Sequence, residues 1–220
     1  GEGLGNKFLA TIRESTAIVN VVRCFEDENV IHVNGSVDPI SDIETIMTEL
    51  ALSDLASLER QVIKLEKLAK TGDKLVLSQL ELFENCIKEL NTKGSLKQLK
   101  FEPNEREILN VFNLLTIKPM MLVANVKEGC FTANRHLDAL KKYAEDLKIP
   151  VVPICASLEA QLVDFNESEK VEFLTESGIA EPGLNIFIRE AFKLLGLHTF
   201  FTAGPKEVRA WTIKKEATAP

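Results

Sequence analysis

The sequence predicts an α/β protein in which a parallel β-sheet is interrupted by a helical hairpin. The first observation is a set of short apolar runs, typical of strands buried on both faces of a parallel sheet, at Ala17–Arg23, Met120–Ala124 and Val151–Cys155. The second is a helical pattern at His136–Lys148, which makes strand–helix–strand the local unit. The third is a long stretch of helical periodicity between the first and second strands.

The elements around these strands follow from helix signals and proline positions. A helix from about Asn6 to Arg13 precedes the first strand. Pro153 favours an edge position for the third strand, because proline cannot donate a hydrogen bond to a neighbouring strand. Two further helices are expected, each ended by a glycine: around Ser168–Glu176 with Gly178, and about Gly183–Leu195 with Gly196.

The interrupting segment is predicted to be an antiparallel coiled-coil hairpin. Ser41-Asp42-Ile43-Glu44 has the form of a capping box. Apolar residues then recur every three or four positions in two stripes: Leu55, Leu58, Val62, Leu65 and Ala69, then Leu80, Phe83, Ile87 and Leu90. Gly72-Asp73 is read as the turn and Gly94 as the end. A returning helix is expected from Pro103 to about Asn113.

The last stretch indicates a second, small module. Thr199–Thr202 and Val208–Ile213 flank a turn at Ala203–Lys206, as in a β-hairpin. The predicted domains are therefore the first part of an α/β domain (1–38), the inserted hairpin (39–100), the second part of the α/β domain (101–198) and the start of a small β module (199–220). Both ends of the chain look cut, so we expect a piece of a longer protein.

Composition narrows the class of protein. A hydrophobic content of 45% excludes disorder of the whole chain. A net charge of −7 argues against electrostatic binding of nucleic acid over the whole surface. Cys24, Cys86, Cys130 and Cys155 lie far apart and predict reduced, buried or half-buried thiols. No apolar run approaches the roughly 18 residues of a membrane span, and no signal peptide is recognisable. We expect a cytoplasmic protein without membrane contact.

A first candidate binding motif ends the second strand. Asn125-Val126-Lys127-Glu128 would deliver an amide and a carboxylate at the carboxyl edge of the sheet, where ligands of open α/β folds bind. Asn-Lys-x-Asp performs this task in P-loop nucleoside triphosphatases, where the carboxylate accepts two hydrogen bonds from guanine. Here Val126 replaces the lysine and Glu128 is one methylene longer than aspartate, which weakens the reason to prefer guanine. The alternative is an ordinary polar loop after a strand.

A second candidate follows the third strand. Cys155-Ala156-Ser157 stands where such domains present a small-residue loop whose backbone N–H groups meet the base. Small residues suit this position because the purine ring approaches the main chain closely. Paired with Asn125–Glu128 on a neighbouring strand, the tripeptide favours base recognition by Asn125, Val126, Glu128, Cys155, Ala156 and Ser157.

The sequence offers no candidate catalytic residue and no metal ligands. Gly1–Lys7 fails the Gly-x4-Gly-Lys-Ser/Thr spacing of a phosphate-binding loop and is interpreted as a switch segment leading into a helix. No nucleophile–base arrangement can be recognised. His32, His136 and His198 share no metal-ligand spacing with each other or with the cysteines.

One end of the predicted hairpin is basic. Its cations are Arg60, Lys64, Lys67, Lys70 and Lys74. A solvated helix face is the simple interpretation, and a contact with the ribosome or RNA is the alternative.

Four stretches resemble the YchF family of Obg-related ATPases and GTPases. They are GEGLGNKFLATIRESTAIVNVVRCFEDENVIHVNGSVDPISDIETI (1–46), ELALSDLASLERQVIKLEK (49–67), LTIKPMMLVANVKE (115–128) and FFTAGPKEVRAWTI (200–213). The resemblance extends through essentially the whole chain. It implies a P-loop nucleotide-binding domain split by a coiled-coil hairpin and followed by a TGS domain of the β-grasp kind. The phosphate loop, first switch and Mg²⁺ ligands would then lie upstream, and most of the TGS domain downstream.

The resemblance also implies a function for the intact protein. Family members prefer ATP over GTP, associate with ribosomes and are linked to translation, and their Asn-x-x-Glu motif matches Asn125 and Glu128. Many bacterial members carry histidine where this chain has Asn20, so we assign Asn20 no catalytic role. The expectation is a monomeric, ATP-hydrolysing switch, with this stretch alone inactive. Two alternatives stay open: a non-enzymatic RNA- or ribosome-binding scaffold, and a translation-associated GTPase that prefers GTP.

Overall fold

A computed structural model of the protein describes residues 5–32 and 35–217, so the Gly1–Leu4 part of the expected switch segment lies outside the described residues. The elements in chain order are α1 (Asn6–Glu14), β1 (Ile18–Arg23), α2 (Pro39–Ala69), α3 (Lys74–Lys93), α4 (Pro103–Val111), β2 (Met120–Asn125), α5 (Arg135–Asp146), β3 (Val151–Ile154), α6 (Ala156–Leu162), α7 (Glu167–Glu176), α8 (Gly183–Leu194), β4 (Leu197–Ala203) and β5 (Val208–Lys214).

These elements form two compact units. One holds α1 and residues 43–118, and is helical throughout its regular structure. The other holds residues 17–42 and the chain from Pro119 onward, and contains every strand found in the described residues. The predicted α/β class with a parallel sheet is confirmed. In the structure α1 and α4 cluster with α2 and α3, whereas the domain boundaries at 38, 100 and 198 stay a prediction.

The sheet of the second unit is parallel, in the order β1-β2-β3. Val21 lies opposite Val123, and Val123 opposite Val152, so the three strands end at one edge. β2 is central and its first five residues are buried, as its sequence predicts. β3 is an edge strand among the described residues, which confirms the position inferred from Pro153.

The prediction that the first strand is buried on both faces is wrong. Val22 is 3% exposed and Asn20 8%, but Val19 is 40% and Val21 66% exposed. β1 has a neighbour on one side only within the described residues, and its side chains alternate between two faces. A run of β-branched residues therefore shows strand preference, but it does not show how many faces are covered.

The start of α2 also differs from its prediction. Ser41 lies inside the helix, which begins at Pro39. The side chain of Asp38 accepts hydrogen bonds from the N–H groups of Ile40 and Ser41, both at 3.1 Å. Asp38 is thus the capping residue, and proline occupies the first helical position, where its missing N–H costs nothing.

One apolar cluster forms the core of the helical unit. It draws buried residues from α2, α3, α4 and the segments that join them, including Leu58, Phe83, Leu90, Leu96 and Leu109. The rings of Phe83 and Phe112 meet edge to face, with centroids 5.0 Å apart. The predicted stripe residues other than Ala69 belong to this core or pack against it, together with residues of α4 and its flanking loops.

The turn at Gly72-Asp73 and the end of α3 at Gly94 lie where the sequence predicts them. Gly72, with φ +76°, lies in the turn after α2, and Asp73 caps α3 by accepting a hydrogen bond from Leu75 at 2.8 Å. Gly94 ends α3 in the left-handed conformation. At the end of the chain β4 and β5 pair antiparallel, as predicted for a hairpin.

Candidate functional site

The carboxyl edge of the sheet brings the two predicted motifs together. Asn125 is the last residue of β2, and its side-chain Oδ1 accepts a hydrogen bond from the backbone N–H of Ala156 at 3.1 Å. The backbone N–H of Val126 donates to the carbonyl of Ile154, the last residue of β3, at 2.9 Å. Two hydrogen bonds, one to the Asn125 side chain and one from the Val126 backbone, therefore join the end of β2 to the end of β3 and the residue after Cys155.

The six predicted residues differ in how much surface they expose. Glu128, Ala156 and Ser157 are exposed, and Asn125 is half-buried. Val126 and Cys155 are only 2% and 1% exposed, so they pack beneath the edge. Cys155 Sγ lies 3.2 Å from Ser157 Oγ.

The residues after β3 form a helix, which corrects the expected loop. Cys155 is the residue before α6, and Ala156 and Ser157 make its first turn. Leu158 and Leu162, both buried, supply the i,i+4 apolar contact that holds this short helix against the unit. That spacing was the available sequence signal for α6, and the small residues at its start obscured it.

Glu128 lies in a tight turn after β2. The N–H of Cys130 donates to the carbonyl of Lys127 at 3.0 Å, and Gly129 has φ +73°. A positive φ is readily adopted by glycine, which lets the chain reverse directly after Glu128. The carboxylate is thereby presented to solvent at the edge that carries Asn125.

Sequence reasoning missed a further residue of this edge, Asn134. Its buried side chain caps α5 by accepting from the N–H groups of His136 and Leu137 at 3.0 and 3.1 Å. Its Nδ2 donates to the carbonyls of Cys24 at 2.9 Å and Cys130 at 3.2 Å. An asparagine directly before a helical pattern is a cap signal that could have been recognised.

A cavity of about 790 Å³ opens beside this edge, at the ends of β1 and β2. Its lining mixes charges of both signs, including Arg23, Glu26, Lys127 and Arg135. Arg135 and His136 both reach Glu26, and their hydrogen bonds, with the charge of Arg135, lower the pKa of that carboxyl. The lining is thus neutralised in part by its own ion pairs.

The cysteines are free thiols, as predicted. Burial raises the pKa of Cys24 to about 11, and burial together with Glu105 raises that of Cys86 to about 12. Both therefore stay protonated at neutral pH and act as small apolar core residues.

Residues 5–32 and 35–217 contain neither a metal-binding cluster nor a membrane-spanning helix. No three His, Cys, Asp or Glu side chains in these ranges come together as a metal site would require. No helix in them has both the length and the apolar character to cross a bilayer.

An open parallel sheet with polar groups at its carboxyl edge defines the class of the fold: an α/β domain, a class whose ligands generally bind where the strands end. Comparison with known proteins shows which α/β proteins this chain is similar to. The chain is 50% identical over 220 residues to the "Ribosome-binding ATPase YchF" of Haemophilus ducreyi and 41% identical over 223 residues to that of Bacillus subtilis. It is covered completely in both alignments and spans 61% of each relative, so about three fifths of their length.

A solved structure shows the same similarity to YchF proteins. The "Structure of the Schizosaccharomyces pombe YchF GTPase" matches with a TM-score of 0.90 and 31% identity, covering 100% of this chain and 60% of that one. A family profile named YchF-GTPase_C, "Protein of unknown function (DUF933)", matches residues 197–220. The chain is homologous to the YchF proteins over its whole length, as its sequence blocks predict.

Proposed function

We propose that the full natural protein is a ribosome-associated switch that hydrolyses ATP, and GTP less well, and binds the purine base at the carboxyl edge of β2 and β3. The observation that carries this proposal is the hydrogen bond from Ala156 N–H to Asn125 Oδ1, with exposed Glu128 beside it. The relatives are named both ATPase and GTPase, so base preference is the property this edge must explain.

Each residue has a proposed part in holding the base. The Asn125 amide and the Glu128 carboxylate meet the edge of the purine. Ala156 and Ser157 allow the ring to approach the main chain, while Val126 and Cys155 support the edge from below. The longer Glu128 has less reason to select guanine, because its carboxylate is displaced from the position in which the aspartate of Asn-Lys-x-Asp accepts hydrogen bonds from guanine, including one from the N2 amino group that adenine lacks.

Phosphoryl transfer to water depends on positioning and charge stabilisation rather than on a covalent intermediate. The residues described here supply the base-binding part of that task. The 220 residues contain no Gly-x4-Gly-Lys-Ser/Thr phosphate-binding loop, and the homology implies that this loop and the Mg²⁺ ligands would come from outside this stretch. We therefore expect this 220-residue stretch alone to hydrolyse no nucleotide.

The finer architecture belongs to the same proposal. In it, α2 and α3 form a coiled-coil hairpin inserted into a P-loop domain, within residues 39–100, and β4–β5 open a TGS domain from residue 199. The protein would act as a cytoplasmic monomer. The homology to YchF proteins along the chain supports this arrangement.

Nucleotide titration of the full natural protein tests the base contact. We expect tighter binding of ATP than of GTP by isothermal titration calorimetry. Glu128→Asp should shift the ratio toward GTP by a factor on the order of ten, the value of one charged hydrogen bond. Glu145→Asp, at an exposed position in α5, is the matched control and should leave the ratio unchanged. Preference for GTP in the wild type, or no shift with Glu128→Asp, would contradict the proposal.

A second candidate function is a non-enzymatic ribosome- or RNA-binding scaffold. The observation in its favour is the basic end of α2 and α3, where all five predicted cations are exposed: Arg60, Lys64, Lys67, Lys70 and Lys74. Phosphate contacts by such residues weaken steeply with salt.

Ribosome co-sedimentation separates the two functions. A switch should change its bound fraction between ATP-bound and nucleotide-free protein, whereas a scaffold should be indifferent to nucleotide. Replacing Lys67 and Lys70 by glutamate should reduce binding several-fold at low salt if these cations meet rRNA phosphates. The same change at exposed Lys141 and Lys142 in α5 is the control. Equal losses in the two variants would assign the effect to net charge alone.

A further inference from the structure

The turn that carries Glu128 has little regular structure to hold it. It lies between the end of β2 and the start of α5, in a segment with two positive φ angles, +73° at Gly129 and +54° at Ala133. The second belongs to a residue with a side chain, which costs conformational energy and persists only where the surroundings hold it. The position of Glu128 therefore depends on the contacts that fix this segment.

Asn134 supplies those contacts through a single buried amide. Its Oδ1 is used by the first turn of α5, where it accepts from His136 and Leu137. Its Nδ2 is used by two carbonyls, that of Cys130 at the end of the Glu128 turn and that of Cys24 just after β1. Asn134 as a whole is 9% exposed, so water competes little for these bonds.

The two Nδ2 bonds close a ring that includes the proposed base contacts. The N–H of Cys24 donates to the carbonyl of Asn125 at 2.8 Å, and the N–H of Cys130 donates to the carbonyl of Lys127 at 3.0 Å. Asn134 joins the carbonyls of the same two cysteines. The backbone of Asn125 is thus linked through Cys24, Asn134 and Cys130 to the turn that carries Glu128.

We propose that Asn134 is a positioning residue that sets Glu128 against Asn125 and so contributes to the choice between adenine and guanine nucleotides. This inference rests on the proposed function, because it concerns how the same edge distinguishes purines. Asn134 touches no base in this account. It acts through the turn, by the donors of its amide rather than by its capping oxygen.

Asn134→Asp tests the donors while keeping the cap. Aspartate has nearly the same shape and still accepts from His136 and Leu137, but it offers no N–H to the carbonyls of Cys24 and Cys130. We expect the ratio of the Kd for GTP to that for ATP to fall about five-fold in the full natural protein, the value of one hydrogen bond. Asn166→Asp is the matched control, because Asn166 caps α7 in the same way, through Ser168 and Glu169. The ratio of the Kd for GTP to that for ATP should be the same in Asn166→Asp as in the wild type.

A double-mutant cycle with Glu128→Gln distinguishes positioning from general destabilisation. If Asn134 acts through Glu128, adding Asn134→Asp to Glu128→Gln should change the ratio no further, although each change alters it alone. Additive effects of the two changes on the ratio would overturn the inference. So would an Asn134→Asp variant with an unchanged ratio and a lower melting temperature, because Asn134 would then act only as a helix cap. Should Asn134→Asp fail to fold, Asn134→Ser, which keeps a capping oxygen, enters the same cycle.

The cycle also separates this inference from the function beneath it. If Glu128→Gln alone leaves the ratio unchanged, the proposed base contact is wrong. If Glu128→Gln changes the ratio and neither Asn134 variant does, only the role of Asn134 is wrong.

Discussion

Asp54 is fully buried in the helical unit and satisfies four donors with one carboxylate. Its Oδ1 accepts from Leu115 N–H and from Arg13 Nη1, both at 3.0 Å. Its Oδ2 accepts from the N–H and the hydroxyl of Thr116, both at 2.8 Å. A buried charge is tolerated when it is paired and hydrogen-bonded in this way. One side chain thus joins α1, α2 and the segment that follows α4.

Removing this carboxylate should destabilise the helical unit strongly. Asp54→Ala leaves the Arg13 guanidinium without its partner and two buried N–H groups without an acceptor, so we expect a loss of about 3–5 kcal/mol in the free energy of unfolding. Asp146→Ala, at an exposed position near the end of α5, should change it by no more than about 0.5 kcal/mol. Urea denaturation followed by circular dichroism measures both. Similar small losses in the two variants would show that the Asp54 network contributes little.

Helices α6 and α8 meet through an unusually close contact that no local pattern reveals. The Glu159 carboxylate of α6 accepts from the N–H of Gly183, the first residue of α8, at 2.6 Å. A Cβ at position 183 would lie 3.0 Å from that carboxylate and 3.1 Å from Ile154 of β3. A side chain here would push against both neighbours, so the close approach favours glycine, and the Glu159 hydrogen bond links α8 to the helix that begins with Ala156 and Ser157. A sequence shows the glycine but not the helix that approaches it.

Elements with strong local signals were the ones that could be predicted. β2 is a continuous apolar run because both its faces are buried, and glycines end α3, α7 and α8 because positive φ angles stop a helix. The misplaced start of α2 has a local cause, since Asp38 before Pro39 and Ser41 in Ser41–Glu44 are competing capping residues three positions apart. The exposure of Val19 and Val21, by contrast, depends on which other segments cover β1, and the local sequence does not encode this.

At the scale of the whole molecule, the candidate site is assembled from segments far apart in the chain. Asn125 and Ala156 could be paired in advance because parallel strands end at one edge, and their hydrogen bond bears out that geometry. The hydrogen bond between Cys24 and Asn134 could not be predicted, because it joins residues 110 positions apart through a backbone carbonyl, which has no sequence signature. Sequence thus indicates which groups reach the edge, whereas the structure is needed to see what holds them there.

The most direct test of the proposed base contact is a crystal structure of the full natural protein with a non-hydrolysable ATP analogue. We expect the adenine beside the ends of β2 and β3, with Asn125 and Glu128 at its edge and the main chain of Ala156–Ser157 against it. A base bound elsewhere, or a Glu128 side chain still directed into solvent with the nucleotide in place, would contradict the account.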